Sequence, residues 1–252
     1  MISLKTKDWQ LDNIETVLFD KDGTFIDLHY FWGKMSELRV NEIIKRYNMD
    51  NKLFHELCLK LGYDTNTGKM LSDGITALYS RPVIINIFCK DLKGLGLDIT
   101  EQEIENIFDY VNSIFYKEMV KYTKPIESAI KFIEELRKNN IKIGIVTSDS
   151  KESTLLTLKH FQWEHLFDVV IGRESTKETK ESGVPVKMAM SLIDANPDTT
   201  IMVGDAPMDY KAAKNADVEN TILVATGQIN KNELLKTSKY SVESLSDIEI
   251  SC

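Results

Sequence analysis

Two acidic motifs, far apart in the chain, contain the residues best suited to chemistry. In the first motif, Asp20 and Asp22 lie one residue apart, directly after the apolar run 17–19 and before Gly23 and Thr24. Two carboxylates this close repel each other unless a cation lies between them or one of them holds a proton. The first motif therefore predicts a metal cation, a catalytic proton, or both.

The two acids of the first motif suit two different chemical roles. A carboxylate such as Asp20 can attack phosphorus or carbon and form a covalent intermediate. Asp22 can then protonate the leaving oxygen and later activate water. Gly23 permits a tight turn, and Thr24 offers a hydroxyl and an N–H to an anion. A strand-ending Asp that caps the next turn is the alternative. A calcium loop is a further alternative, but it needs a helix-loop-helix, whereas this motif follows a strand-like run.

The second acidic motif contains Asp205 and Asp209, and it also follows an apolar run, at 200–203. Both side chains could point toward one metal. A hard cation such as Mg²⁺ prefers carboxylate, carbonyl and water oxygens. We expect Asp20, Asp205 and a backbone carbonyl near Asp22 to bind Mg²⁺, with Asp209 holding a water or a neighbour. Helix N-capping is the competing interpretation of Asp205 or Asp209 taken singly.

A third run of apolar residues, 141–146, ends in the hydroxyl pair Thr147 and Ser148. Hydroxyls and N–H groups at the end of a strand can bind an anion. Ordinary turn and cap chemistry also uses Thr and Ser at such positions, and for this segment alone it is the favoured interpretation.

A lysine is required to neutralise the crowded carboxylates and a bound phosphate. The segment before the Asp205 strand offers three candidates, Lys177, Lys180 and Lys187. A solvated, charged loop is the expected environment for most of them.

Apolar runs that alternate with helical patterns predict the fold class. Strands are expected at 17–19, 141–146, 167–171, 200–203 and 221–224, and helices at 126–139, 153–161, 186–195 and 210–216. This alternation predicts an α/β fold with a doubly wound parallel sheet. Open sheets of this kind bind ligands at the carboxyl ends of their strands, where both acidic motifs would lie.

The segment 28–121 differs, because it has almost no strand pattern and several amphipathic helices. Those helices are expected at 33–47, 52–61, 75–92 and 101–120. We interpret 28–121 as an inserted α-helical cap domain, with 1–27 and 122–252 forming the catalytic core. An insertion directly after Thr24 would lie over the C-terminal edge of the sheet.

Composition excludes several classes of partner. The 252 residues carry a formal net charge of -8, which argues against nonspecific binding to nucleic acid or to an anionic membrane. The three cysteines, Cys58, Cys89 and Cys252, form neither a disulfide framework nor a zinc motif. Neither a signal peptide nor a membrane-spanning run is recognisable, and we expect a cytoplasmic protein.

Together and in this order, these motifs resemble those of the haloacid dehalogenase superfamily of phosphohydrolases. The resemblance covers nearly the whole chain, and it is to the branch of phosphoglycolate phosphatases and β-phosphoglucomutase-like proteins with a helical cap. It implies a Rossmann-like core and Mg²⁺ as cofactor. It also implies that Asp20 is the nucleophile that forms an aspartyl-phosphate, and that Asp22 is the general acid/base and lends its carbonyl to Mg²⁺.

The resemblance extends to the other motifs with one departure. It implies that Thr147 binds the phosphoryl oxygen, that Asp205 is a Mg²⁺ ligand, and that Asp209 supports that site. Many members carry Lys-Pro-x-Pro as the third motif, whereas here no proline directly follows a candidate lysine. We assign Lys180, because Gly183 and Pro185 follow it before a helix.

The second acid of the first motif separates activities within the superfamily. Dehalogenases lack this acid and phosphonatases replace it with Ala, so Asp22 favours phosphate monoester chemistry. We expect a Mg²⁺-dependent phosphatase that acts on a small phosphorylated metabolite, as a monomer or homodimer. A phosphomutase of the β-phosphoglucomutase type and a non-enzymatic regulatory member are the alternatives.

Overall fold

A computed structural model describes residues 1–251, and these residues fold into two compact units. The first unit consists of residues 1–27 together with the chain from Pro125 onward, and the second is Leu28–Lys124. The second boundary falls at residue 124, where the sequence analysis has 121.

Eleven strands and ten α-helices are present in residues 1–251. The strands are β1 Ile2–Lys5, β2 Gln10–Ile14, β3 Thr16–Phe19, β4 Tyr63–Asp64, β5 Lys69–Met70, β6 Lys142–Val146, β7 Val169–Ile171, β8 Thr200–Gly204, β9 Asn220–Val224, β10 Ser241–Val242 and β11 Glu249–Ser251. The helices are α1 Leu28–Arg46, α2 Phe54–Lys60, α3 Ile75–Leu78, α4 Arg81–Gly94, α5 Glu101–Lys117, α6 Glu127–Lys138, α7 Lys151–Phe161, α8 Val184–Leu192, α9 Pro207–Asn215 and α10 Lys231–Leu234.

The first unit is built on a six-stranded parallel sheet in the order β10-β9-β8-β3-β6-β7. This sheet confirms the predicted α/β fold with a doubly wound parallel sheet. Alternate residues of β3 pack on opposite faces, because successive strand residues point in opposite directions. Val17 and Phe19 lie in one apolar cluster and Leu18 in the other, so both faces of the central strand are buried.

The register of the central strands brings the two acidic motifs to one edge of the sheet. Phe19 is opposite Ile145 of β6 on one side and Val203 of β8 on the other. Since the strands are parallel, the residues that follow them leave the sheet at the same end. Asp20 and Asp205 are therefore neighbours in space although they are far apart in the chain.

A second, three-stranded antiparallel sheet in the order β11-β1-β2 was not predicted from the sequence. The sequence analysis also omitted β10, which adds to the edge of the main sheet beside β9. Such strands are two to five residues long. β1, β2 and β11 include exposed residues and lack the continuous buried run by which the equally short β3 was predicted, and β10 has only two residues.

The second unit is helical, with one two-stranded antiparallel sheet, β4 with β5. The predicted single helix at 75–92 is wrong, because it is two helices, α3 and α4. Tyr79 and Ser80 between them are extended. Pro82 follows in the first turn of α4, where a residue without an N–H is accommodated, since the first helical N–H groups have no partner within the helix.

Helix α5 shows how the sequence fixes a helix start in the second unit. The Thr100 hydroxyl accepts a hydrogen bond from the N–H of Glu103, and the Glu103 carboxylate accepts one from the Thr100 N–H. This capping box satisfies two donors that the helix cannot satisfy itself. The buried stripe of α5 follows with helical spacing, and its members are Ile104, Ile107, Phe108, Val111 and Phe115.

The cysteines and the lengths of the apolar helices can also be checked in the structure. Cys58 and Cys89 are buried free thiols, while Cys252 lies outside the described residues. No helix within residues 1–251 combines the length and the apolar character that a membrane span requires.

An ion pair fastens the end of α6 to the loop before β7. Arg137 donates two hydrogen bonds to the Asp168 carboxylate, at 2.8 and 2.7 Å, and the N–H of Ile143 in β6 donates a third, at 2.8 Å. Burial alone would raise the pKa of Asp168, but Arg137 and the Ile143 N–H lower it below its ordinary value. Asp168 therefore stabilises the fold above the unfolded-state pKa, and this contribution is lost as the pH falls through the folded-state pKa.

We expect Asp168→Asn to lower the free energy of unfolding by about 1 kcal/mol at neutral pH, since partial exposure of both side chains screens the pair. The difference from wild type should shrink as the pH falls below the ordinary Asp pKa. Urea unfolding at neutral and acidic pH measures this. The exposed Asp8→Asn is the matched control, and a deficit for Asp168→Asn that does not change with pH would contradict the assignment.

Candidate active site

Asp20 and Lys180 form the centre of the candidate site. Asp20 follows β3 directly, and its N–H donates to the Val203 carbonyl of β8 at 2.8 Å. The Lys180 ammonium lies 2.5 Å from Asp20 Oδ1 and 2.6 Å from Asp209 Oδ1, and all three side chains are buried. Lys180 therefore joins the two acidic motifs through one cation.

Local backbone geometry presents Lys180 to the carboxylates. Lys180 begins the short 3-10 helix Lys180–Ser182, which Gly183 ends in the left-handed region, with φ +82. A side chain at Gly183 would also collide with the backbone of Asn215 in α9. Glycine is thus required here on both counts.

Of the three candidate lysines, the structure brings only Lys180 to the carboxylates. Lys187 is exposed and pairs with Asp217 at 2.8 Å. Lys177 is exposed in the loop before Lys180. Because buried carboxylates attract a buried cation most strongly, Lys180 is the lysine that sets the charge of this site.

Three buried carboxylates form a group that suits a hard metal ion. Oxygen atoms of Asp20, Asp205 and Asp209 all lie within 4.8 Å of one another. Burial raises the pKa of Asp20, Lys180 lowers it, and Asp209 raises it again. Burial, and then the charges of Asp20 and Asp209, raise the pKa of Asp205 well above its ordinary value.

The charges and the donor atoms of the same three carboxylates are compatible with Mg²⁺. Lys180 pairs with Asp20 and Asp209, whereas no lysine or arginine in residues 1–251 forms a salt bridge with Asp205. Burial, and after it the neighbouring carboxylates, raise the pKa values of Asp20 and Asp205, and a bound cation would offset both effects. All three offer the oxygen ligands that Mg²⁺ prefers, so the donor set fits this ion.

Asp209 has a structural role beside its place in the cluster. Its Oδ2 accepts a hydrogen bond from the N–H of Ala206 at 3.1 Å, which holds the start of α9. A side chain at Gly204 would collide with the Asp209 carboxylate. The capping interpretation therefore applies to Asp209 in addition to its ion pair with Lys180.

Gly227 defines the position of Asp205, and sequence reasoning missed it. A side chain at Gly227 would collide with the Asp205 carboxylate, so the loop after β9 packs closely on that side chain. The signal was present, since Gly227 follows a predicted strand at the edge where both acidic motifs lie.

A second buried lysine, Lys21, was also missed. Its side chain is only 2% exposed, and its ammonium lies 2.8 Å from Asp22 Oδ1 and 2.9 Å from Asp149 Oδ2. Burial alone would lower the pKa of Lys21, but Asp22 and Asp149 raise it above the ordinary value. Burial raises the pKa of Asp22, against the effect of Lys21. A lysine between an apolar strand and an acid was the available signal, because a buried ammonium must be paired.

Thr147 and Ser148 lie at a cavity with Lys180. This cavity of about 230 Å³ is lined by Thr147, Ser148, Gly172, Arg173, Lys177, Glu178, Thr179, Lys180 and Pro185. Thr147 is buried, and its hydroxyl accepts a hydrogen bond from the N–H of Asp149 at 3.1 Å. Substrate binding by Thr147 and Ser148 stays a prediction that this placement permits.

Gly23 and Thr24 form the turn after the two acids. Gly23 has φ +87, its N–H donates to the Ile26 carbonyl at 2.7 Å, and its carbonyl accepts from the Thr226 hydroxyl at 2.6 Å. Thr24 is fully buried, and its N–H donates to the Lys21 carbonyl at 3.3 Å. Both residues thus stabilise the turn through hydrogen bonds, and their contact with substrate stays a prediction.

Comparisons with known proteins identify the family of the chain. The profile of the haloacid dehalogenase-like hydrolases matches residues 83–224. Pyrophosphatase PpaX of Bacillus mycoides is 24% identical over 237 residues, covering 93% of this chain and 95% of the relative.

Solved structures share the fold. A predicted phosphoglycolate phosphatase from Haemophilus somnus 129PT superposes with a TM-score of 0.69 at 16% identity, covering 94% of this chain and 97% of the other. The β-phosphoglucomutase of Clostridium difficile gives a TM-score of 0.57 at 19% identity, with 92% of each chain covered.

The chain belongs to the haloacid dehalogenase-like hydrolase family, since the family profile covers more than half of it. As a member of this family, it is a hydrolase. The resemblance seen in the sequence is confirmed, and a non-enzymatic regulatory role is not supported.

We expect Gly227→Ala to weaken Mg²⁺ binding by about 10- to 100-fold, because the added methyl group must displace the Asp205 carboxylate. Isothermal titration calorimetry with MgCl₂ measures the change. Gly94→Ala is the matched control, since a side chain there meets no atom within 4 Å. Unchanged Mg²⁺ affinity in Gly227→Ala would remove Asp205 from the predicted metal site.

Proposed function

We propose that the protein is a Mg²⁺-dependent phosphatase that hydrolyses a small phosphate monoester through an aspartyl-phosphate on Asp20. One observation carries this proposal: Asp20 lies at the carboxyl end of the central strand, paired with Lys180 and grouped with Asp205 and Asp209. A buried carboxylate at this position is held for attack by its backbone and by one cation.

The first step forms the covalent intermediate. A carboxylate oxygen of Asp20 attacks phosphorus while the bond from phosphorus to the ester oxygen breaks, and its electron pair stays on that oxygen. The proton of Asp22 passes to the same oxygen, and the alcohol leaves. Lys180 keeps Asp20 in place through the ion pair at 2.5 Å.

The second step restores the enzyme. Water attacks phosphorus, and its proton goes to the Asp22 carboxylate that the first step left ionised. The bond between phosphorus and the Asp20 oxygen breaks, with its electron pair returning to the carboxylate. Inorganic phosphate leaves, and both acids regain their starting states.

Asp20 and Asp205, with the carbonyl of Asp22, would hold Mg²⁺, and Asp209 would support them. The bound ion supplies positive charge that stabilises the phosphoryl oxygens as charge develops on them. Thr147, Ser148 and Lys180, together with Gly23 and Thr24, are the proposed phosphoryl-binding residues.

One other substrate and one other reaction are candidates. Inorganic pyrophosphate is favoured by the likeness to a PpaX pyrophosphatase over most of the chain. A phosphomutase would pass the phosphoryl group from Asp20 to a substrate hydroxyl, and the fold shared with a β-phosphoglucomutase is compatible with that outcome.

We also propose partners and a location for the protein. The proposed partner is a small phosphorylated metabolite, and the net charge of -8 argues against nucleic acid and against an anionic membrane surface. The two buried free thiols support a reducing, cytoplasmic location. A monomer or a homodimer is proposed.

The test is phosphate release from a panel of sugar phosphates, phosphoglycolate, nucleotides and pyrophosphate, with MgCl₂ and with EDTA. We expect Mg²⁺-dependent release, and Asp20→Asn should lower it on the order of a thousandfold or more while leaving the fold intact. The exposed Asp198→Asn is the matched control.

Each other outcome has a distinct meaning. Preference for pyrophosphate would replace the monoester proposal by its second candidate. Isomerised sugar phosphate with little phosphate release would indicate the mutase. Full activity in Asp20→Asn, or in EDTA, would contradict the mechanism.

A further inference from the structure

Lys21 lies in the middle of the first acidic motif, and the mechanism above assigns it no role. It is among the largest fully buried side chains of the protein. A buried ammonium group is costly unless it is paired. Its partners are carboxylates on two different segments, Asp22 beside it and Asp149 after β6.

The two buried lysines divide the carboxylates of the site between them. Lys180 pairs with Asp20 and Asp209, whereas Lys21 pairs with Asp22 and Asp149. The lysine pairs therefore separate the attacking carboxylate from the one that moves the proton.

The contact with Lys21 is specific to one oxygen of Asp22. The ammonium donates to Oδ1 at 2.8 Å. No other hydrogen bond of the Asp22 carboxylate is found within residues 1–251, and its side chain is 19% exposed. Lys21 thus fixes the rotation of the carboxylate through Oδ1 and leaves Oδ2 available to give and take the proton.

Asp149, which also pairs with Lys21, is itself held by three hydrogen bonds. Its Oδ1 accepts a hydrogen bond from the N–H of Ser150 at 2.7 Å, and its carbonyl accepts one from the N–H of Arg173 at 2.8 Å. Its own N–H donates to the Thr147 hydroxyl. Lys21 therefore ties Asp22 to the segment that carries the proposed phosphoryl-binding residues.

We propose that Lys21, held by Asp149, is a positioning residue that aims Oδ2 of Asp22 at the leaving oxygen of the substrate. This inference rests on the proposed function, in which Asp22 protonates that oxygen as the alcohol departs. Lys21 itself touches neither substrate nor phosphorus.

The proposal predicts a dependence on the leaving group that a merely structural role would not produce. Proton transfer matters most when the leaving oxygen is strongly basic, and least when the leaving group departs readily as an anion. Benzyl phosphate and p-nitrophenyl phosphate are of similar size, and they differ in this property. Misalignment of Asp22 should therefore slow the hydrolysis of the benzyl ester much more than that of the nitrophenyl ester.

The experiment measures kcat/KM for both esters in wild type, Lys21→Met and Asp22→Asn, with MgCl₂ present. We expect Lys21→Met to lower kcat/KM for benzyl phosphate by about 100-fold, in the direction of Asp22→Asn, and for p-nitrophenyl phosphate by less than about 10-fold. The loss should fall on kcat. Lys187→Met, which removes an exposed ion pair, is the matched control and should change neither ester.

A second variant guards against a folding failure of Lys21→Met. Asp149→Asn keeps Lys21 beside Asp22 and removes only the negative charge that pairs with Lys21. It should shift the ratio of kcat/KM for the two esters in the same direction by a smaller factor. Circular dichroism and thermal melts verify that each variant is folded.

The outcomes separate this inference from the proposed function. If wild type releases phosphate neither from the two esters nor from any phosphate of the panel above, the proposed function fails. If Asp22→Asn changes the ratio of the two esters but folded Lys21→Met or Asp149→Asn lowers both equally, the proposed function stands and Lys21 is only structural. Wild-type hydrolysis of the nitrophenyl ester alone would also overturn the inference, since no working acid would be present.

Discussion

The structure depends on the repulsion among carboxylates gathered at the carboxyl end of one buried sheet. Asp20, Asp22, Asp149, Asp205 and Asp209 meet there, and two buried ammonium groups, on Lys21 and Lys180, pair with four of them. Asp205 forms no salt bridge within residues 1–251, and burial, followed by the charges of Asp20 and Asp209, raises its pKa. A divalent cation could bind the Asp205 carboxylate and balance its charge.

The parallel sheet makes this crowding possible. Strands β3, β6 and β8 are aligned so that the residues after them leave at one edge, and both faces of the sheet are covered by apolar clusters. Rigid strands keep the charged side chains close together, whereas on a flexible loop the same side chains could move apart. Where backbone and carboxylate approach most closely, at Gly204 and Gly227, no side chain can be accommodated.

The fold class and the positions of the acids could be predicted from the sequence, because each motif follows an apolar run long enough to identify as a strand. The sheet of β11, β1 and β2 could not be predicted, since its strands include exposed residues and lack a continuous apolar run. Helix 75–92 was predicted as one segment because apolar spacing outweighed the break that Ser80 and Pro82 impose.

Ion pairing between distant segments is what sequence reasoning left out of the site. Lys180 was selected from three lysines by its neighbours Gly183 and Pro185, while its two carboxylate partners became evident only from the fold. Lys21 was passed over, because its partner Asp149 lies far along the chain and only the pairing of β3 with β6 brings them together. Patterns along a chain reveal which residues can do chemistry, but the distribution of charge among them depends on three-dimensional contacts.

Two lysines pair with four carboxylates of the site, and we propose that Asp205 is left to bind a cation. A crystal structure grown with MnCl₂, in which anomalous scattering locates the ion, tests it most directly. Our account predicts one ion bound to Asp20 and Asp205, with Lys180 still between Asp20 and Asp209 and Lys21 still between Asp22 and Asp149. An ion bound without Asp205, or lysines paired differently, would contradict it.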